Sequence, residues 1–412
     1  MDQGKNPYTP GAGLRPPLLS GRDALLAEIE IVIARTERQR LDSPIVLIGL
    51  RGVGKTVLLQ EAYRRVREAS WIFVLAEGGN DTAQFVARLA SDLDRSVKAA
   101  EIREPDRFRD KLKRARATIG RFRVSAKLDP ASGAPSLDLE VDRTVPAGGG
   151  TEDLEVNLTS LLEDLGQEAA DAGIGIAVLV DELQDLPEDV LAALITAVHR
   201  AQQMGLPVAL IGAGLPTLPK VLSEAKSYAE RYRYRTVDQL DQEASAAAIE
   251  GPAESEGVTW DEGAVRRIVA ASGGYPYFIQ QLASSTWALA ARDSIITAAD
   301  ADAGIARGLA ELDSGFFDAR WQRATPVEQE VMQRMAEVSG QGPVQIATLA
   351  EAMGRATSGI SVARDGLLKK GLVFAPERGV LAFTTPGMAD HIARRRTPVA
   401  DRPSGTEATP SP

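Results

Sequence analysis

Glycines at 49, 52 and 54, followed by Lys55 and Thr56, complete the spacing G-x-x-x-x-G-K-[ST] in the run Gly49-Leu50-Arg51-Gly52-Val53-Gly54-Lys55-Thr56. The apolar β-branched run Ile45-Val46-Leu47-Ile48 precedes it and Val57-Leu58-Leu59 follows. A loop that leaves a buried strand and enters a helix turns successive backbone N–H groups toward one point, where the helix N-terminus adds positive potential. Polyphosphate fits such a point. The glycines let the backbone approach the oxyanions, Lys55 reaches the β- and γ-phosphates, and the Thr56 hydroxyl is a ligand for Mg²⁺. A second group of the same chemistry lies downstream, where the apolar run Ile176-Ala177-Val178-Leu179-Val180 ends directly in Asp181-Glu182. An acidic pair after a buried strand is ordinarily a loop start. With the phosphate loop upstream on a strand of the same kind, Asp181 becomes a candidate to hold the metal shell and Glu182 to orient and polarise an attacking water.

These groups need a framework that brings strand ends together. Strand Ile45–Ile48, the loop, a helix to about Glu68 and the strand Trp71–Leu75 form a β-loop-α-β unit, the opening of a doubly wound α/β domain. A helix over 24–38 comes before it, with apolar residues at Leu25, Ile29, Val32 and Ile33. Strand Ile176–Val180, a helix from about Glu188 to Met204 and strand Val208–Ile211 continue the parallel order. Between about 101 and 152 the pattern changes to a basic stretch (Arg107 to Arg123) and two alternating segments, 121–127 and 136–141, around D-P-A-S-G-A-P. This predicts an inserted β-hairpin, with a helix resuming at 153–172. Its basic residues are either a solvated face or a partner contact. From about Leu240 the chain reads as helical throughout.

The 412 residues exceed one core at the usual ~100–200 residues per domain. The expected division is an extended segment 1–17, an α/β domain 18–238, a helical domain 239–312, a further module 320–396 and a disordered tail 397–412. No apolar stretch approaches the ~20 residues that span a bilayer, and M-D-Q-G-K-N-P-Y-T-P lacks the regions of a signal peptide, so a cytoplasmic protein without membrane partners is expected. The absence of cysteine excludes disulfides and thiolate chemistry. The two separated histidines, His199 and His391, argue against an imidazole metal centre and read as helix-surface residues. A net charge of −10 argues against indiscriminate coating of nucleic acid. The charge is uneven: from Arg320 onward there are 12 Lys/Arg against 9 Asp/Glu, or +3, which permits a local nucleic-acid contact without requiring one.

Four segments together resemble the AAA+ ATPases, in particular the initiator-like origin-recognition ATPases and the signal-transducing STAND group. They are the loop Gly49–Thr56, D-E-L-Q at Asp181–Gln184, I-G-A-G at Ile211–Gly214 and G-G-Y-P-Y at Gly273–Tyr277. The resemblance covers roughly residues 18–300. It implies a P-loop NTPase core with an all-α lid, and ATP with Mg²⁺ between them. L-L-S-G-R-D at Leu18–Asp23 resembles the motif that holds adenine, which implicates Leu19 and Arg22, and the lid motif implicates Pro276. S-Y-A-E-R at Ser227–Arg231 resembles the segment that places an arginine against a neighbouring subunit's γ-phosphate. Arg231 is thus a candidate finger in a homo-oligomer, with a surface arginine among Arg231, Arg233 and Arg235 as the plain alternative. Two departures from the family pattern favour slow turnover. I-G-A-G supplies no polar side chain to position water, Thr217 being the nearest, and the lid segment has Tyr275 and Pro276 where an arginine is usual. The same departures leave room for a binder of ATP without turnover.

Helical periodicity over Pro326–Val338, Ile346–Met353 and Ser358–Lys370, with two short strands in Val373–Phe383, has the order of a winged helix. Leu349, Ile360, Leu367, Leu368 and Leu372 are its expected core. In a duplex-DNA reader, Ser358, Ser361 and Arg364 would face the major groove, and Lys369, Lys370 and Arg378 the phosphates. His391 and Arg394–Arg396 are either a supplement to that surface or solvated charge. Two functions follow. One is an ATP-dependent, DNA-associated initiator or regulator; the other is a STAND-like switch whose winged helix grips a protein.

Overall fold

A computed structural model describes residues 1–40, 42–103, 119, 124–128, 135–139, 151–291 and 294–396. The chain divides into two units, Met1–Ala306 and Arg307–Pro412.

In the first unit, α1 (Asp23–Glu37), β1 (Ile45–Ile48), α2 (Lys55–Glu68), β2 (Ile72–Glu77) and α3 (Thr82–Arg103) precede a hairpin. Then come β3 (Val124–Leu128), β4 (Pro135–Leu139), α4 (Thr151–Ala172), β5 (Ile176–Asp181), α5 (Glu188–Gln203), β6 (Val208–Gly214), α6 (Leu218–Ala225) and β7 (Arg233–Thr236). Five of these strands form one parallel sheet in the order β2-β5-β6-β1-β7. Every residue of β5 before Asp181 is buried, as is all of β6, which explains why both read as continuous apolar runs rather than alternating ones. Flanking helices cover the sheet: α2 packs on β2, β5 and β6, and α4 and α5 pack on each other. The inserted hairpin is present as the antiparallel pair β3–β4; the basic stretch 107–118 lies outside the described residues.

Beyond the sheet, α7 (Gln242–Glu254), β8 (Thr259–Trp260), α8 (Glu262–Ser272), α9 (Pro276–Leu289), β9 (Ile295–Ile296) and α10 (Ala298–Glu311) follow. This stretch is not helical throughout as its sequence suggests. β8 and β9 pair in parallel, with Thr259 N–H donating to the Ser294 carbonyl at 3.0 Å and Asp261 N–H to the Ile296 carbonyl at 2.9 Å. Two-residue strands leave no period to read. The N-terminal segment wraps this helical region. The Tyr8 hydroxyl, buried, donates to the Ile249 carbonyl at 2.5 Å and accepts from Trp260 Nε1 at 2.9 Å. Trp287 Nε1 donates to the Asp2 carbonyl at 3.0 Å.

The second unit continues through a π-helical turn, Leu312–Phe317, into α11 (Asp318–Gln322), α12 (Pro326–Ser339), β10 (Val344–Gln345), α13 (Ile346–Ala352), α14 (Ser361–Lys369), β11 (Val373–Phe374), β12 (Val380–Phe383) and α15 (Met388–Arg396). Its sheet is antiparallel in the order β10-β12-β11. Helix α12 starts where the sequence says a helix should. Thr325 caps it, Pro326 fits the first turn, and the Glu328 carboxylate accepts from Thr325 N–H at 2.7 Å to close a capping box. Leu349, Ile360, Leu367 and Leu372 are buried as expected of a core, whereas Leu368 is only half-buried.

One expectation about this unit is corrected. His391 is not a helix-surface residue: it is 2% exposed, stacked on Phe317 with ring centroids 5.2 Å apart, and its Nδ1 lies 2.8 Å from Asp313 Oδ1. Arg394 grips the same carboxylate through two bonds of 2.8 and 2.6 Å, and Arg395 pairs with Asp318. Both arginines remain exposed while paired with these acids, in keeping with solvated charge. The sequence of α15 conceals this because both acids come from residues that precede it by more than 70 positions.

Candidate nucleotide site

In a parallel sheet all strand C-termini open on one edge, and here that edge gathers the phosphate loop, Asp181 and the end of β6. β6 lies between β1 and β5, so the loop and the acidic pair belong to strands that are not neighbours. They meet nonetheless: Thr56 Oγ1 donates to Asp181 Oδ2 at 2.6 Å. The loop is tied to the sheet by Gly49 N–H donating to the Gly214 carbonyl at 3.2 Å. Gly49 has no space for a side chain, because a Cβ there would collide with the Val237 carbonyl. Gly52 and Gly54 have φ of 85° and 98°, values that only glycine adopts without strain. Gly54 faces open space and caps α2, so the amides of Lys55 and Thr56 begin the helix beside it.

Lys55 is 6% exposed. Its ammonium donates to the Gly49 and Leu50 carbonyls, both at 2.9 Å. Burial lowers its pKa, while Glu182 and Asp181 raise it in part. A buried ammonium held only by neutral carbonyls of a glycine loop has unused capacity for an anion, which is the chemistry a phosphate brings. Arg51 Nε is buried without a hydrogen-bond partner, while its Nη1 lies 3.1 Å from Glu182 Oε1. The donors therefore fit a nucleotide triphosphate, and the Thr56 and Asp181 oxygens fit a hard divalent cation. Of the other cofactor-binding candidates, Val53 is buried and Leu50 and Val57 are half-buried.

Arg22, in the segment likened to an adenine-holding motif, is 9% exposed. Its Nη2 donates to the Val53 carbonyl at 2.9 Å and the Asp238 carbonyl at 2.6 Å, and burial lowers its pKa. It braces the phosphate loop against the segment after β7. Leu19, three residues earlier, is half-buried. Pro276 opens α9, and the next residue touches the loop: Tyr277 N–H donates to the Gly52 carbonyl at 3.5 Å. The segment Gly273–Tyr277 is thus brought onto the phosphate loop from a distance in sequence of more than two hundred residues. Arg231 is not brought to the loop. It is exposed and precedes β7, whose first residue Arg233 pairs with Ile45, at the opposite end of the sheet from Gly49. Arg233 lies 3.3 Å from Asp42 and Arg235 lies 2.7 Å from Glu28, so both are occupied locally.

Sequence reasoning missed two neighbours of Glu182. One is Arg51, a cofactor-binding candidate of the phosphate loop whose pairing with Glu182 the sequence does not show. The other is Gln184, whose Nε2 donates to Glu182 Oε2 at 2.6 Å.

The fold and site define a P-loop nucleotide-binding α/β unit. Residues 18–211 match the family model of the AAA ATPase domain, and residues 314–392 match that of a Domain of unknown function (DUF8462). Among solved structures, the Walker-type ATPase PABY2304 of Pyrococcus abyssi is similar at 13% identity and a TM-score of 0.57, with 93% of this chain and 98% of that chain covered. The RuvB Holliday junction branch migration motor of Thermotoga maritima is similar at 17% identity and a TM-score of 0.44, covering 92% and 98% of the two chains. The ORC1 protein of Aeropyrum pernix, solved in complex with DNA, is similar at 15% identity and a TM-score of 0.46, covering 92% and 94%. No curated protein matches in sequence. Residues 18–211 are thus similar to the AAA ATPase domain, and the parallel five-stranded sheet with flanking helices is an α/β P-loop ATPase-like fold. Among the described residues no helix is long and apolar enough to cross a membrane.

Proposed function

We infer that this protein is a switch operated by Mg-ATP bound at Gly49–Thr56 and hydrolysed slowly. The observation that carries the reading is the 2.6 Å bond between Thr56, at the start of α2, and Asp181, at the end of β5, two oxygens converging beside the loop. The bound Mg-ATP supplies the transferable γ-phosphate. Lys55 would exchange its two carbonyl acceptors for phosphate oxygens, Thr56 and Asp181 would hold the metal, and Glu182 would orient the water. Slow turnover is supported by the engagement of Glu182 with Arg51 and by Tyr275 and Pro276 standing where an arginine is usual. In this reading residues 239–312 are the lid, and their contact with the loop at Gly52 is the route by which nucleotide state reaches the rest of the protein. Arg231 serves a neighbouring subunit, since its own site lies at the other end of the sheet.

The second unit reads as a winged helix, supported by its order of helix, strand, two helices and two strands. As a DNA-associated initiator or regulator it would present Ser358, Lys369 and Arg378, all exposed. A specific observation favours the alternative of protein binding. Of the other candidate groove and phosphate contacts, Arg364 donates to Asp365 at 2.8 Å and Lys370 to Glu328 at 2.5 Å, while Val362 on the same helix is 86% exposed. The experiment is calorimetry and phosphate release for the wild type, Lys55→Ala and Glu182→Gln, each with and without duplex DNA. Loss of binding in Lys55→Ala, with binding kept and turnover lost in Glu182→Gln, is the expected outcome. Stimulation by DNA selects the initiator, and its absence selects the protein-binding switch. Failure of the wild type to bind nucleotide would overturn the assignment.

A further inference from the structure

The end of β6, Gly212-Ala213-Gly214, carries no polar side chain of its own, yet the space there is filled by one. A Cβ at Gly212 would collide with Leu183, and a Cβ at Gly214 would collide with Gln184 Oε1. Both intruding side chains come from the short 3-10 turn Leu183–Asp185 after β5. Glu182 starts that turn in the left-handed region, at φ 47° and ψ 48°, a conformation strained for a non-glycine residue. The resulting reversal lays Gln184 across the neighbouring strand end. There its Oε1 accepts from Leu215 N–H at 3.1 Å, and its Nε2 donates to Glu182 Oε2 at 2.6 Å. The backbone donor fixes the orientation of the amide, because only the oxygen can face an N–H.

We propose that Gln184 is the positioning residue of the nucleotide site: reaching over Gly214, it supplies the polar group that β6 lacks and aims the Glu182 carboxylate. The inference rests on the ATPase reading above. Its second consequence is reciprocal. A Cβ at Gly214 would meet the Gln184 amide first and Leu218 Cδ2, at 2.8 Å, second, so removing the Gln184 side chain relieves the closer of the two contacts and leaves a small shift of Leu218 to admit a side chain.

The test uses the full-length protein as wild type, Gln184→Ala and Gln184→Ala combined with Gly214→Ser, measured for nucleotide affinity, kcat and KM. Gln184→Ala is expected to keep affinity and KM within about twofold and to lower kcat by about ten- to a hundredfold, the cost of a misaimed group. The double variant, with a hydroxyl returned to the strand end, is expected to recover at least about threefold of that loss. A residue that merely packs the turn would lower affinity and kcat together and would not be rescued from Gly214. Normal kcat in Gln184→Ala, a parallel loss of affinity, or a double variant no faster than the single one would each overturn the proposal. The two readings fail separately: a wild type that binds no nucleotide refutes the site itself, whereas a wild type that binds and turns over with Gln184→Ala unaffected refutes only the role of Gln184. A wild type that binds without turnover overturns the positioning role and leaves binding in place.

Discussion

Lys55→Met should make the nucleotide-free protein no less stable, and more stable near neutral pH, while removing its response to ATP. The folded protein holds the Lys55 ammonium 6% exposed against two neutral carbonyls, and burial depresses its pKa below the ordinary 10.5, an effect that Glu182 and Asp181 offset only in part and Arg51 adds to. Since the folded pKa lies below the unfolded one, the unfolded chain binds more protons between the two values. Stability of the nucleotide-free wild type therefore rises with pH through that window, and the contribution is complete only near 10.5. Methionine keeps the apolar stem and removes the charge, so the variant should lose this rise. Ligand reverses the order. At a free concentration of 100 times Kd, a ligand that binds only the folded state adds about 2.7 kcal/mol, which in a unit of this size moves Tm by about 5 °C. The wild type should gain this with Mg-ATP and Lys55→Met should gain none. Thermal unfolding of both proteins from pH 7 to 10, with and without Mg-ATP, decides the matter. A nucleotide-free Lys55→Met that is less stable than wild type by more than about 1 kcal/mol would refute the argument that this ammonium is held at a cost in the absence of phosphate.

Three other outcomes are expected. Thr56→Val removes the hydroxyl that meets Asp181, so ATP affinity measured by calorimetry should become the same with magnesium as with a chelator. Tyr8→Phe keeps the ring between Trp260 and Trp287 but leaves the buried Trp260 N–H without its acceptor, and urea unfolding should show a loss of about 1–2 kcal/mol. In the second unit, burial alone would raise the pKa values of Asp313 and Glu328. Hydrogen bonds from Arg394 and His391, and from Lys370 and Thr325, bring both below the ordinary range. That stability is present above about pH 4 and lost as the pH falls through the depressed values, so acid titration should unfold Asp313→Asn with a shallower pH dependence than wild type.

What the sequence made legible is what is local. The phosphate loop is eight consecutive residues whose roles follow from residue type, and Asp181 follows from a buried strand that ends in an acid. The tie between α9 and the loop was legible only through family resemblance, because no period or spacing links Tyr277 to Gly52. The strands β8, β9 and β10 escaped notice because two residues hold no alternation. His391 was misread for a related reason. A helix face is judged from its own neighbours at i±3 and i±4, and M-A-D-H-I-A-R-R-R is polar enough to look solvated, whereas its acids arrive from the π-helical turn and α11.

The end of β6 is the instructive case, since the sequence shows a missing group where the structure shows an occupied one. Adjacent strands stand about 4.8 Å apart, so β1 and β5 are separated by roughly 10 Å with β6 between them. A polar group set at the end of β6 to meet Glu182 stands on or above that middle strand, whereas Arg51 reaches Glu182 from the loop itself at 3.1 Å. Two solutions exist: a polar side chain on β6, or a glycine on β6 beneath a long side chain from β5's own exit. The second demands a sharp reversal directly after Asp181, and the left-handed backbone of Glu182 provides it. It also demands room on the other flank, where a Cβ at Gly78 would collide with the Glu182 carbonyl and Gly78 N–H instead closes on the Asp181 carbonyl at 2.8 Å. Four features that look unrelated along the chain, namely Gly78, the strained Glu182, Gln184 and Gly214, are thus consequences of one geometric requirement. The departure of I-G-A-G from the usual pattern is then a relocation of the polar group by one strand.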